Sequence, residues 1–160
     1  MAEFSGLVGK TLLDVRGMEE GSKSVVFVTD DGSVFILSHL QECCEDIHIA
    51  DVCGDVGNLI GTPILGAEES TSDESYIDEG WLYQWTFYKM QTIKGSVTIR
   101  WYGESNGYYS VGVGFHEVDV EVEREKLIHY LETLTDRESI KWLLGVTEKM
   151  KEGKPCSDGD

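Results

Sequence analysis

The side chains best suited to metal or thiol chemistry lie in one segment of ten residues, which holds His39, Cys43, Cys44 and His48. Thiolate and imidazole groups are zinc ligands, and each histidine stands four residues from its nearer cysteine. Neighbouring residues at the end of a strand point in different directions, so both cysteines can join one tetrahedral site only through a special turn. We therefore interpret the segment as a buried structural cysteine pair with surface histidines, and predict no metal or other cofactor.

The same thiols are poor candidates for a catalytic nucleophile. Such a nucleophile needs a lowered pKa, whereas acidic surroundings like those of this segment raise a thiol pKa. The glycines after residue 100 precede no helix, so they form no phosphate-binding loop, and no carboxylate pair stands out as a general acid and base. We predict that the protein is not an enzyme. The alternative is a metal-dependent enzyme built on the His, Cys and Asp residues.

Negative charge is concentrated in the first half of the chain. The net charge is −17, and thirteen acids but no Lys or Arg lie between Lys23 and Lys89. Such a field repels nucleic acids and anionic lipids and attracts basic proteins. We predict no direct binding to nucleic acid or membrane. Solubility alone is the alternative explanation for the acids.

The length and composition are those of one globular domain. The chain has 160 residues, 41% of them apolar, and a chain of this length buries roughly two thirds of its unfolded surface. We predict a single acidic domain over residues 1–152 and a flexible tail over residues 153–160. The sequence shows neither a secretory leader nor a long apolar segment, which indicates the cytoplasm, with reduced cysteines.

Apolar runs with turn signals predict the strands. Four short strands are expected at residues 11–15, 24–29, 34–37 and 47–52, with a hairpin turn at 30–33. Residues 54–61 predict a turn or short helical segment, and the acidic residues 67–80 predict an exposed loop. Three long strands should follow: residues 81–91, a second that alternates around Val97, Ile99 and Trp101, and a third after residue 109 with a bulge at 112–116. If the third strand stays extended, it carries a row of carboxylates about 7 Å apart on one face: Glu117, Asp119, Glu121 and Glu123.

The C-terminal part predicts helices. Apolar residues recur at helical spacing in residues 125–134, and Thr135 with Glu138 forms a capping box for a second helix. The expected fold class is therefore α+β, with one antiparallel, strongly twisted β-sheet of about six to eight strands and two C-terminal α-helices.

Several segments resemble a known family. The most specific are residues 85–89, with the sequence WTFYK, and residues 94–110, with the sequence KGSVTIRWYGESNGYYS. Shorter matches are LVGK at 7–10, DDG at 30–32, CCE at 43–45, LIG at 59–61 with PI at 63–64, and EE at 68–69. The family they resemble consists of small uncharacterised proteins, widespread in bacteriophages and prophages, that carry a domain of unknown function. The resemblance covers residues 7–117, leaves residues 123–152 as a helical extension, and implies a phage origin without catalytic residues.

A phage origin favours an inhibitor of host machinery. The leading hypothesis is an acidic protein in the host bacterial cytoplasm that binds a host nucleic-acid-processing or anti-phage defence protein, for example a CRISPR–Cas effector. Its carboxylates would mimic DNA on the basic surface of that protein. The expected partner-binding residues are Glu68, Glu69, Asp73, Glu74, Asp78, Glu79, Glu117, Asp119, Glu121 and Glu123.

The alternative is a protein that sequesters a small ligand such as a nucleotide signal on an aromatic face of the sheet. Aromatic rings offer stacking surfaces, and an arginine can meet a phosphate. An exposed aromatic face could also form a homodimer. The expected ligand-binding residues are Trp85, Tyr88, Arg100, Tyr102 and Tyr108.

Overall fold

The computed structural model describes residues 2–40, 42–73, 75–77 and 80–133. The chain divides into two compact units, the first ending at Asp119 and the second beginning at Val120. Within the described residues, the first unit holds nine β-strands and two short 3-10 helices, Phe4–Leu7 and Val56–Leu59, and the second holds one α-helix.

The first sheet has four antiparallel strands: β1 (Leu12–Arg16), β2 (Ser24–Thr29), β3 (Val34–Ser38) and β9 (Gly114–Val118). They lie in the order β1-β2-β3-β9. The predicted turn between β2 and β3 is confirmed: Gly32 has a φ of +85°, and Asp31 Oδ1 accepts hydrogen bonds from the Thr29 hydroxyl at 2.5 Å and the Ser33 amide at 3.0 Å. An Asx turn with glycine at the positive-φ position therefore sets the β2–β3 register.

The second sheet is also antiparallel and is built on two long strands. Its strands are β4 (Glu45–Cys53), β5 (Gly66–Thr71), β6 (Ser75–Ile77), β7 (Trp81–Thr92) and β8 (Gly95–Ser105). The order is β4-β8-β7-β5, and β6 also pairs with β7. Strands β7 and β8 pair from Leu82 and Ser105 to the turn at Thr92 and Gly95, which confirms the predicted long hairpin.

Three sequence-based expectations of the sheet were wrong. The strands form two sheets rather than one, because β9 leaves β8 and pairs with β3. Residues 66–71 are not a loop but strand β5, whose polar side chains are compatible with the edge of a sheet because one side of an edge strand meets solvent. The third long strand is absent: residues 106–113 form no strand, and β9 begins at Gly114.

One hydrophobic core receives side chains from both sheets. In β8 the predicted alternation is confirmed: Val97, Ile99 and Trp101 are buried, and the residues between them are partly exposed. The Phe4 ring of the first 3-10 helix lies 4.8 Å from the Tyr88 ring of the second sheet and 5.3 Å from the Phe115 ring of the first. The N-terminal segment therefore helps to join the two sheets.

The second unit begins with helix α1 (Val120–Thr133), which starts five residues before the predicted boundary at 125. The predicted second helix, with its capping box at Thr135, and the predicted tail at 153–160 lie outside the described residues. Among the described residues, no helix is long and apolar enough to cross a membrane.

Candidate functional site

The outward side of the second sheet carries a cluster of aromatic and cationic side chains. Strand alternation directs Tyr83, Trp85 and Phe87 of β7 away from the core, because Leu82, Thr86 and Tyr88 on the opposite parity are buried. The same alternation places His48 of β4 and Arg100 and Tyr102 of β8 beside them across the sheet. We call this surface the aromatic face, and it comprises His48, Tyr83, Trp85, Phe87, Arg100 and Tyr102.

Tyr102 lies at the centre of the aromatic face. Its ring centroid lies 5.0 Å from that of Trp85, 6.4 Å from that of Tyr83 and 6.0 Å from that of His48. The Tyr83 and Tyr102 rings are nearly parallel, with an interplanar angle of 27°. All four side chains keep part of their surface exposed. These rings therefore form a packed but accessible platform.

Arg100 is held on this platform by two neighbours. Its guanidinium carbon lies 5.6 Å from the centroid of the Trp85 ring, and its Nε donates to Asp51 Oδ1 at 2.7 Å while Nη2 donates to Asp51 Oδ2. These hydrogen bonds lower the pKa of Asp51 and raise that of Arg100. The fork of Arg100 is thus already occupied by a carboxylate.

Carboxylates border the aromatic face. Asp46 and Glu104 are opposite each other on β4 and β8, Asp51 lies beside Arg100, and Glu68 of β5 is opposite Lys89 of β7. We call Asp46, Asp51, Glu68 and Glu104 the carboxylate border. Glu104 Oε2 accepts a hydrogen bond from the Tyr102 hydroxyl at 2.8 Å. Partial burial, and then this hydrogen bond, raise the pKa of Tyr102 to about 12.

The predicted acidic loop is only partly described. Glu68 and Glu69 are neighbours on β5, so they point to opposite sides of the sheet, and only Glu68 belongs to the carboxylate border. Asp73 is exposed just after β5. The predicted partner-binding residues Glu74, Asp78 and Glu79 lie outside the described residues.

The predicted row of carboxylates after β9 is not extended. Glu117 lies in β9, which ends at Val118, and Glu121 and Glu123 belong to the first turn of α1. Successive helical residues are rotated by about 100°, so side chains two positions apart do not share a face. Glu117, Asp119, Glu121 and Glu123 therefore do not line one side of a strand.

The predicted ligand-binding residues divide into three places. Trp85, Arg100 and Tyr102 meet on the aromatic face. Tyr88 is 0% exposed on the opposite side of β7, and burial raises the pKa of its hydroxyl. Tyr108 is 83% exposed in the segment between β8 and β9, where its ring contacts that of Tyr109. The structure therefore does not bring these five residues together in one site.

The histidines and cysteines at 39–48 also separate. His39 contacts the Gly112 carbonyl oxygen at 2.6 Å and Glu45 Oε1 at 2.9 Å, whereas His48 lies on the aromatic face. Cys43 and Cys44 are both exposed, so the prediction of a buried pair is wrong. Their sulfur atoms lie 2.9 Å apart, whereas diverging side chains were expected. In the part of the chain that the structure describes, no three His, Cys, Asp or Glu side chains are grouped to hold a metal ion.

A cleft of about 580 Å³ lies in the first unit, between the N-terminal segment, β5 and the start of β9. Its lining residues include Glu3, Ser5, Glu69, Ser70 and Thr71. The other lining residues are apolar, Phe4 and Phe115 among them. Nothing in the sequence marked this cleft because its walls come from distant segments.

The sequence did not predict His48 or Phe87 on the aromatic face, or Asp51 on the carboxylate border. Residue parity in β7 was the available signal for Phe87. The position of Asp51 depends on a β-bulge between Ile49 and Asp51. This shift of register places Asp51 instead of Ala50 opposite Arg100. Such a bulge is defined by the pairing of two strands and could not be read from β4 alone.

Comparisons with known proteins give one match. No curated protein and no solved structure is significantly similar to the chain. A family model described as a domain of unknown function, DUF7448, matches residues 5–115, which include strands β1 to β8 and the first two residues of β9. The chain therefore belongs to the DUF7448 family.

Proposed function

We propose that this chain is an acidic binding protein that captures a basic partner protein through the aromatic face and its carboxylate border. The observation that carries the proposal is the combination of the ring platform around Tyr102 with carboxylates at both edges of the same sheet surface. The proposal requires no catalytic residue and no cofactor.

The composition of the aromatic face is typical of an interface centre. Trp, Tyr and Arg are the residues enriched among binding hot spots, where a few buried side chains account for most of the affinity. Arg100 is already oriented by Asp51 and Trp85, so little conformational freedom is lost when a partner covers it. A partner that buries these side chains would gain apolar contact at little conformational cost.

The charge of the first unit favours a basic partner. Residues 1–119 contain 20 acids and six Lys or Arg residues, which gives a net charge of −14. Lys10, Arg16, Lys23 and Arg100 form ion pairs with aspartates, which reduces their attraction for an external anion. The remaining negative field would accelerate association with a basic surface and weaken in salt.

The biological form of the proposal is an inhibitor encoded by a phage. The resemblance to phage and prophage proteins motivates it, together with the acidic surface. The partner would be a host nucleic-acid-processing or defence protein, such as a CRISPR–Cas effector, whose basic surface normally binds DNA. Such a protein would act in the host cytoplasm and would not itself bind nucleic acid or membrane.

The test is an affinity pull-down from a bacterial host lysate, with partners identified by mass spectrometry and then purified for binding measurements. Trp85→Ala and Tyr102→Ala should each weaken binding at least tenfold, because each removes a hot-spot ring. Tyr108→Ala is the matched control, since this exposed tyrosine lies outside the aromatic face. High salt should release the partner. Equal binding by the native protein and the three variants would reject the aromatic face as the contact surface. Binding that does not change with salt would reject the electrostatic attraction to a basic partner.

A second candidate function is sequestration of a small planar ligand on the same platform. The near-parallel Tyr83 and Tyr102 rings favour it, because a flat ligand such as a base can stack there. The Arg100–Asp51 pair and the carboxylate border oppose a phosphate nearby. A thermal-shift screen with nucleotides distinguishes the two functions: a ligand that raises Tm in the native protein but not in Tyr102→Ala would favour this candidate.

A homodimer through the aromatic face would instead raise the mass measured by light scattering.

A further inference from the structure

The turn before β4 brings two thiols side by side. Cys43 and Cys44 are both exposed, neither is in a disulfide, and their Sγ atoms are 2.9 Å apart. Adjacent side chains in an extended strand would point to opposite sides. The backbone of this turn therefore has a conformation that gathers the two sulfur atoms on one side. We call residues 43 and 44 the dithiol turn.

A backbone outlier produces this arrangement. Among the described residues, Cys44 is the one non-glycine residue with a positive φ, +64°. This left-handed conformation is unfavourable for a residue with a Cβ, and Gly or Asn usually occupies it. Strained residues of this kind persist where the surrounding structure holds them, and they cluster at functional sites. Here the Cys44 carbonyl accepts a hydrogen bond from the Asn106 amide at 3.1 Å, which ties the dithiol turn to the end of β8.

We propose that the dithiol turn is a reversible redox-modification site, which a small disulfide oxidant such as glutathione disulfide converts into a disulfide between Cys43 and Cys44. The site would thus take a low-molecular-weight disulfide as its reactant. Neither the aromatic face nor the proposed partner is needed for this reaction.

The reaction is a pair of thiol–disulfide exchanges. The Cys43 thiolate attacks one sulfur of the oxidant, a mixed disulfide forms, and one glutathione thiolate leaves. Cys44 then loses its proton to solvent and attacks the Cys43 sulfur, which closes the ring and releases the second glutathione. The two cysteines together lose two protons and two electrons, and the oxidant is reduced to two molecules of thiol.

The geometry favours a disulfide that forms and is reduced again. The sulfur atoms must approach from 2.9 Å to about 2.05 Å, a small movement for exposed side chains. Adjacent Cα atoms are only about 3.8 Å apart, below the usual Cα separation of about 4.4–6.8 Å for disulfides. A strained, exposed disulfide is easily reduced and is of the labile type rather than the structural type.

The protonation of the pair is consistent with this chemistry. The pKa of Cys44 is raised, first by its hydrogen bond with Cys43 and then by the charge of that neighbour. The higher pKa makes Cys44 the less reactive thiol, so Cys43 is assigned as the attacking residue and Cys44 as the resolving residue.

Among the described residues, the one other cysteine is Cys53, and it is out of reach within one molecule. It lies at the opposite end of β4, which begins at Glu45, and a strand of nine residues spans roughly 25–30 Å. An intramolecular disulfide of Cys43 or Cys44 with Cys53 would therefore require β4 to unfold.

The test is peptide mapping of the folded, full-length protein after exposure to glutathione disulfide. The remaining thiols are blocked by alkylation, and a protease that cleaves after glutamate is added. Because Glu42 and Glu45 flank the dithiol turn, the protease releases the peptide Cys43–Cys44–Glu45. We expect this peptide without alkyl groups and lighter by two hydrogen atoms than the reduced peptide, and we expect dithiothreitol to restore the doubly alkylated form.

Two variants provide the controls. Cys44→Gly keeps the positive φ that the turn requires but removes the resolving thiol, so it should fold and stop at the mixed disulfide with glutathione. Cys53→Ser should react like the native protein. A stable mixed disulfide in the native protein, a link from the dithiol turn to another cysteine, or an unchanged doubly alkylated peptide would each overturn the proposal.

Discussion

Replacement of Phe115 by alanine tests how β9 is anchored to the fold. Phe115 is 3% exposed, and its ring centroid lies 5.2 Å from that of Phe35, in a parallel stack, and 5.3 Å from that of Phe4. A buried Phe→Ala change costs about 3–5 kcal/mol in the free energy of unfolding, through lost burial and the cavity left behind. Since a domain is stable by about 5–15 kcal/mol, we expect Phe115→Ala to unfold at a much lower urea concentration.

Urea unfolding, monitored by circular dichroism, measures this free energy of unfolding. Phe115→Leu keeps most of the buried volume but loses the ring pairs, and should cost about 1–2 kcal/mol. Ile93→Ala is the exposed control, because Ile93 is 82% exposed in the turn between β7 and β8, and its cost should stay within about 0.5 kcal/mol. A cost below about 1 kcal/mol for Phe115→Ala, with an unchanged slope, would contradict the placement of Phe115 in the shared core.

Three further predictions concern ionisation and backbone geometry. Glu104→Gln should lower the pKa of Tyr102 from about 12, because the amide carries no negative charge; an unchanged alkaline absorbance titration would contradict the hydrogen bond between them. Gly54→Ala should destabilise the protein by more than Gly61→Ala in thermal unfolding: both have a positive φ, but a Cβ on Gly54 would lie 2.4 Å from a backbone oxygen, whereas one on Gly61 meets open space. Equal losses of Tm would argue against that close approach. Asp51→Asn should make Tm fall less steeply than in the native protein as the pH drops below about 4. Pairing with Arg100 lowers the folded-state pKa of the Asp51 carboxyl, so the stabilising contribution of this carboxyl is lost as pH falls through that pKa. Parallel curves of Tm against pH for the two proteins would refute the pairing.

The aromatic face gives the acidic composition a structural context. Carboxylates lie at the edges of the face, and aromatic rings occupy its centre. A surface of carboxylates alone would bind a basic partner weakly in salt, because exposed charge pairs are screened. In the proposed function the rings supply the apolar contact that such a surface lacks, so loss of a ring and addition of salt should weaken binding separately.

Local sequence determined the elements that depend on neighbouring residues. The turn at 30–33, the hairpin of β7 and β8 and the buried parity of Val97, Ile99 and Trp101 all follow from residues close together in the chain. Turn residues set backbone dihedrals, and alternation sets which side of a strand is apolar. These features were predicted and are confirmed.

Tertiary structure decided which strands pair and therefore which side chains meet. Strand β9 joins β3 across about 80 residues of sequence, which no local pattern encodes. A bulge places Asp51 opposite Arg100, and the positive φ of Cys44 gathers two sulfur atoms that an extended strand would separate. Charge, aromatic content and the cysteine pair could be read from the sequence, but their arrangement depended on strand register and on one strained residue, which only the packed chain defines.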